Sequence, residues 1–187
     1  MLEAGGFRLG ILALTDHPSG YAAAAAQPSV AYANLPCGGV PDWVADAIAL
    51  DADAILVTPH WEWNMTAEPV AHVRAAARGL LEAGTTLVAG HSAHVFHGIA
   101  LRVLYDLGDS STTNRVDRQA RNDLGVLFLV DLANSRLEAI PLKLEVAHTR
   151  FADGEDAAWI RRRFGDTCAA CGTAVTEEDG RLVCAWR

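Results

Sequence analysis

Three consecutive segments restrict what this chain can fold into. Residues 54–58, Ala-Ile-Leu-Val-Thr, are a near-continuous apolar run; Val70, Val73, Ala77, Leu80 and Leu81 then recur at helical spacing ahead of Gly84; residues 86–89, Thr-Leu-Val-Ala, are apolar again. An uninterrupted apolar run suits a strand covered on both sheet faces. The 3.6-residue recurrence marks an amphipathic helix over about 69–83, which a glycine just beyond it terminates. Strand, helix, strand in this order gives two parallel strands joined by a crossover. The expected class is α/β, with the parallel strands ending at one edge of a sheet.

The flanking sequence extends this pattern. Phe7 to Leu14 reads as a buried strand running into the turn TDHPSG, and the alanine tract Ala22 to Ala26 as loop or frayed helix. Pro41 and Asp42 start a helix over 42–50, with Asp42 placed to cap the exposed amides. Later strands are predicted at 103–107, 125–132 and 137–142, the last two joined by a turn at 133–136, followed by a helix over 155–164 and a strand over 181–185. With no internal repeat and no Pro-, Gly- or Ser-rich linker, residues 1–187 are expected to form one domain, in which 151–187 is a helix and strand extension.

Composition narrows the function. Hydrophobic residues make up 51% of 187 positions, enough for a sizeable core. Fifteen basic residues against 23 acidic ones, a formal net charge of -8, argue against a nucleic-acid partner, and the one basic cluster, Arg161 to Arg163, reads as a solvated helix face. No apolar run approaches the ~20 residues that span a bilayer, and the N-terminus lacks the pattern of a signal peptide, so the expectation is a cytoplasmic protein with no membrane span. Cys37, Cys168, Cys171 and Cys184 are read as reduced thiols. The two-residue spacing of Cys168 and Cys171, with Cys184 beyond, suggests a zinc ribbon short of one partner, which Cys37 or a histidine would have to supply.

The chemistry lies in the histidines. Residues 89–98, AGHSAHVFHG, place His91, His94 and His97 directly after a predicted strand, and His60 follows another. Open α/β sheets bind ligands at the carboxyl edge of their parallel strands. His60, His91 and His94 are therefore expected to converge as metal ligands, since neutral imidazole is among the commonest ligands of zinc and suits iron and manganese neighbours. His97 is a weaker candidate because Gly98 and Ile99 take the chain away, and His17, in TDHP, lies at the same edge as a lesser one. His72 within a helix and His148 in a late loop are assigned no chemistry.

PHWEWNM (59–65), LVAGHSAHVFHGI (87–99) and VLYDLGD (103–109) resemble successive motifs of the capsule-synthesis CapA family, the poly-γ-glutamate synthesis proteins, and RNDLGVLFLVDL (121–132) is similar to one bacterial branch of it. The resemblance covers roughly residues 7–150. It implies part of a calcineurin-like metallophosphoesterase α/β/β/α sandwich with a centre of one or two divalent ions, Mn, Fe or Zn, held by His60, His91 and His94. It implies as substrate an anionic small molecule or a polyglutamate-type polymer, and as reaction a hydrolysis of phosphoester or γ-glutamyl amide bonds by metal-activated water.

The chain also departs from the family pattern. The family's early Gly-Asp, Asn-Glu and Asn-Asn-His motifs have no counterpart, so the chain reads as the C-terminal half of the family domain, with no bridging carboxylate. Glu62 and Trp63 stand where the family commonly has Gly and Pro, and Ser110 where an aromatic is usual. Half a sandwich would expose an apolar sheet face, which predicts self-association or a partner subunit covering it. The carboxylates available to assist are Asp106 and Asp109; capping turns is their alternative role. Arg121, Asn122 and Asp123 either hold a loop or meet an anionic substrate. Against the hydrolase stands a non-catalytic fragment or accessory subunit of a polymer-synthesis complex.

Overall fold

A computed structural model of the chain describes residues 1–37, 39–111 and 116–185, without the Cys37 side chain. It is a mixed α/β protein that divides into two compact units, residues 1–62 with 69–92 and residues 63–68 with 93–187.

The first unit is built on the predicted strand, helix, strand pattern. A short hairpin, β1 (Leu2–Ala4) and β2 (Phe7–Thr15), turns through Gly5 and Gly6, both at positive φ. β3 (Ala54–His60) runs parallel to β2, pairing Leu9 with Ala54 through Thr15 with His60, and β4 (Leu87–Ala89) runs parallel to β3. Helix α1 (Asp42–Ile48) buries Val44 and Ile48, and α2 (Ala71–Glu82), the crossover between β3 and β4, buries Val73, Ala76, Ala77 and Leu80. Gly84, at φ 106°, closes α2: its N–H donates to Leu81 O and that of Thr85 to Leu80 O, the paired bonds of a Schellman ending.

Two expectations change here. Asp42 is the first helical residue of α1, not its cap; Pro41 holds that position, with no side-chain hydrogen bond. β3 runs two residues further than its apolar run, because Pro59, although it cannot donate, accepts the N–H of His91 on its carbonyl and keeps the ladder going through His60.

The second unit is largely antiparallel. A short hairpin, β5 (Ile99–Ala100) with β6 (Val103–Leu104), precedes the long hairpin of β7 (Leu124–Asp131) and β8 (Arg136–Glu145), in register from Leu124 opposite Lys143 to Asp131 opposite Arg136. The other edge of β8 is shared: β9 (His148–Phe151) pairs with its end, and β11 (Arg181–Ala185), itself in a hairpin with β10 (Thr176–Glu178), pairs with its start. Helix α3 (Gly154–Ala170) buries Ala157, Ile160, Phe164 and Cys168, a stripe at helical spacing. Phe164 meets Phe96 and Phe128 with ring centroids 6.3 and 6.1 Å apart.

The strand expected over 103–107 stops at Leu104, because the Asp106 carboxylate takes the backbone amides of Ala93 and Gly108 and turns the chain out of the ladder. The helix expected over 155–164 continues to Ala170, since buried Cys168 extends the apolar stripe past Gly165. β9 and β10 were not anticipated; both are short edge strands whose sequences, His-Thr-Arg-Phe and Thr-Glu-Glu, take their form from the strand beside them.

Candidate metal centre

β2, β3 and β4 run in the same direction, so the residues that follow them gather at one edge. Backbone hydrogen bonds lace these residues together: Asp16 N donates to His60 O (3.2 Å), Trp61 N to His91 O (3.0 Å) and His91 N to Pro59 O (3.0 Å). His60 and His91 form a parallel bridge as a result, and their side chains leave the same side of the sheet. The two Nδ1 atoms lie 3.2 Å apart, with ring centroids at 5.0 Å. Two imidazole nitrogens bound at ~2.1 Å to one cation, at angles from 90° to tetrahedral, stand about 3.0–3.4 Å apart. In the absence of a cation, one ring donates to the other. Burial, and then the neighbouring His60, lower the pKa of His91, which favours the neutral imidazole that a metal requires.

Next to this pair lies a group that the sequence reading undervalued. The Asp16 carboxylate is buried and binds two imidazoles: Oδ1 accepts from His17 Nδ1 in a short hydrogen bond, and Oδ2 from His72 Nε2 at 3.2 Å. The His17 ring lies 5.2 Å, centroid to centroid, from that of His60. His17, His60 and His91 line one cleft of about 560 Å³, whose remaining walls include Leu14, Tyr21 and Val30. Glu62, at φ 75°, occupies the left-handed region that favours glycine. Its carboxylate is buried, which raises its pKa, and Oε1 accepts the N–H of Val70 ahead of α2 at 3.0 Å.

In the second unit His94, also left-handed at φ 63°, donates from Nδ1 to Asp109 Oδ1 at 2.9 Å. The other oxygen of Asp109, Oδ2, is buried without a hydrogen-bond partner. A carboxylate on one ring nitrogen fixes the tautomer and aims the other nitrogen outward, the usual support of a histidine ligand. Asp106 is engaged differently: Oδ2 accepts from Ala93 N (2.8 Å) and Oδ1 from Gly108 N (2.9 Å), so it holds the loop. His97 is buried, its Nε2 on the carbonyl of Thr66 at 2.7 Å. His72, expected to carry no chemistry, steadies Asp16, and exposed His148 faces Glu145.

The Arg121, Asn122, Asp123 segment holds the loop. Arg121 donates from Nε and Nη2 to the two oxygens of Asp123 (2.8 and 3.0 Å) and from Nη2 to Asp156 (2.6 Å), Lys143 joins both carboxylates, and Asn122 Oδ1 accepts from Asp117 N. Cys168 and Cys184 are buried thiols in contact, and Cys171 is half-buried. The zinc-ribbon role weighed for Cys37 lies outside the described residues. Among the described residues, no three or more His, Cys, Asp or Glu side chains form a group that could hold a metal ion, and no helix is long and apolar enough to cross a membrane.

A histidine pair at the carboxyl edge of parallel strands, laced in by backbone and flanked by a buried carboxylate, is the candidate site of this α/β protein. The chain belongs to the bacterial capsule synthesis family: the model of bacterial capsule synthesis protein PGA_cap matches residues 1–113. That span contains Asp16, His17, His60, His91, His94 and Asp109. No curated protein matches the chain.

Proposed function

We propose that this capsule-synthesis family protein is a metal-dependent hydrolase of calcineurin-like fold, acting on phosphoester or γ-glutamyl amide bonds in capsule-polymer metabolism. The observation that supports the reading is the 3.2 Å between His60 Nδ1 and His91 Nδ1, a hydrogen-bonded separation that is also compatible with two ligands of one cation. Imidazole nitrogen suits Zn, Mn or Fe: His60 and His91 would bind the ion, and within the second unit the Asp109 carboxylate, which takes Nδ1 of His94, orients that ring. A bound ion supplies an activated water and charge stabilisation at the attacked phosphorus or carbonyl.

The chain's own residues divide the remaining work. The backbone bonds among Asp16, Pro59, His60, Trp61 and His91 fix the main chain from which the two imidazoles project, which reduces the ordering cost on binding. Asp106 holds the 93–108 loop from which His94 projects. The cleft beside His60 and His91 is where a substrate would meet the two imidazoles.

The reading is tested by assaying purified protein, with added manganese, iron or zinc, against a phosphoester and a γ-glutamyl amide. Metal-dependent turnover of either, lost in His60→Ala, is expected; a protein inert toward both with every metal would refute it. A second reading, an accessory subunit of a polymer-synthesis complex, is favoured by the exposure of Phe7 and Ile11, two positions four residues apart on one face of β2. It predicts association with a second copy or a partner subunit that Ile11→Asp abolishes, without any turnover.

A further inference from the structure

We propose that the cleft beside His60 and His91 receives an aryl group carried by a small substrate, and that Tyr21 and Val30 set this specificity. The inference deepens the hydrolytic reading above by naming the part of the substrate that lies next to the reacting bond, and it rests on that reading only for the reaction. The first support is what the cleft is made of. Its volume, about 560 Å³, is that of a small-molecule site, for which ~300–1,000 Å³ is usual. Ala13, Leu14, Pro18, Tyr21, Val30 and Ala31 give it apolar walls, two threonines and three histidines complete the lining, and among the described residues no Lys or Arg takes part. A polyanion therefore has no fixed cation to meet there. Behind one wall the buried Asp16 carboxylate, which accepts from His17 and His72, has the wrong sign for a polyanion, as does the net charge of -8.

The second support is how the outer wall is held. Thr15 N donates to Ala31 O (3.0 Å) and Ala33 N to Thr15 O (2.8 Å), which ties the return of the 16–33 loop to the end of β2. Further out, Val30 N donates to Tyr21 O (3.2 Å) and Ala23 N to Val30 O (3.0 Å), and a reciprocal pair between Ala24 and Gln27 closes the tip. The alanine-rich stretch is thus a narrow ribbon instead of a frayed helix, and it sets Tyr21 and Val30 next to each other on the cleft. Both are large apolar side chains left 63% and 41% exposed. Adjoining exposed apolar groups on a concave wall mark a binding surface, and a wall already tied by backbone bonds costs little to order when a ligand arrives. The imidazoles add aromatic surface: the ring of His60 lies 5.2 Å from that of His17 and 5.0 Å from that of His91, centroid to centroid. An aryl group suits such a lining better than an aliphatic one, because it gains ring–ring contacts as well as apolar burial.

The experiment measures binding to the full chain, in the presence of a chelator, of two ligands that share a headgroup, 1-naphthyl phosphate and methyl phosphate, and of γ-linked triglutamate. Calorimetry gives the first affinity, and displacement of the naphthyl compound gives the other two. 1-Naphthyl phosphate is expected to bind about tenfold or more tightly than either, with a negative heat-capacity change. Tyr21→Ala and Val30→Ser are each expected to weaken its binding about fivefold and to narrow its advantage over methyl phosphate by the same factor, whereas Phe151→Ala, which removes an exposed aromatic ring of the second unit, changes neither. Circular dichroism checks that each variant is folded. Equal affinities for the two phosphates, tighter binding of triglutamate, or an undiminished preference in both cleft variants would overturn the inference. Preference with Tyr21 dependence but no metal-dependent turnover would leave it standing and remove the hydrolytic reading; metal-dependent turnover of methyl phosphate as efficient as that of 1-naphthyl phosphate would do the reverse.

Discussion

Replacing Asp123 by Asn tests whether the loop after residue 116 is a structural clasp. In the folded protein the Asp123 carboxylate is pressed in opposite directions: burial alone would raise its pKa, but Arg121 and Lys143 outweigh burial and hold it at about 2 against an ordinary 3.8. At ~1.4 kcal/mol per pH unit, that depression corresponds to about 2.5 kcal/mol of stability at neutral pH. Asn keeps one acceptor for Arg121, and Arg121 keeps Asp156, so the expected loss is about 2 kcal/mol. For a chain of this length it lowers the melting temperature by about 4–8 °C. The pH dependence follows from the sign of the shift. Because the folded pKa is depressed, the contribution is present above the ordinary value and is lost as pH falls from about 4 to about 2. Thermal unfolding of wild type and Asp123→Asn at pH 7 and at pH 2 measures both. A difference at pH 7 that closes at pH 2 is predicted. Equal stabilities at pH 7, or an undiminished difference at pH 2, would refute the clasp.

Gly98→Ala is expected to destabilise the second unit by about 3 kcal/mol in urea unfolding, because an added Cβ would lie 2.2 Å from the carbonyl oxygen of Thr167 in α3 and the helix backbone would have to move. Asp106→Asn is expected to cost about 1–3 kcal/mol, since the new amide presents a donor to one of the two N–H groups of Ala93 and Gly108 that the carboxylate now accepts. Lost turnover with unchanged stability would instead make Asp106 a catalytic group.

The meeting of His60 and His91 was legible in the sequence because it follows from a rule of direction alone: parallel strands bring their carboxyl ends to one edge. The same rule applied to the Thr-Asp-His-Pro turn after β2, but an aspartate there reads as a turn former, and nothing local shows that its carboxylate is buried between two imidazoles. His72 was illegible for a related reason. A helical position fixes which face a side chain is on, but not which residue at a sheet edge it meets, and that meeting depends on how α2 docks. The short strands β9 and β10 lack alternation of their own and borrow it from β8 and β11. The extent of α3 was hidden by Gly165, which interrupts the helical pattern that Cys168 resumes.

The account depends on His60 and His91 being two ligands of one cation, and the most direct measurement is the number of metal ions bound per chain. Elemental analysis of protein dialysed against micromolar zinc or manganese is predicted to give one or two ions per chain for wild type and none for the doubly substituted His60→Ala, His91→Ala protein. Wild type that binds no ion, or the double variant that retains its full complement, would contradict it.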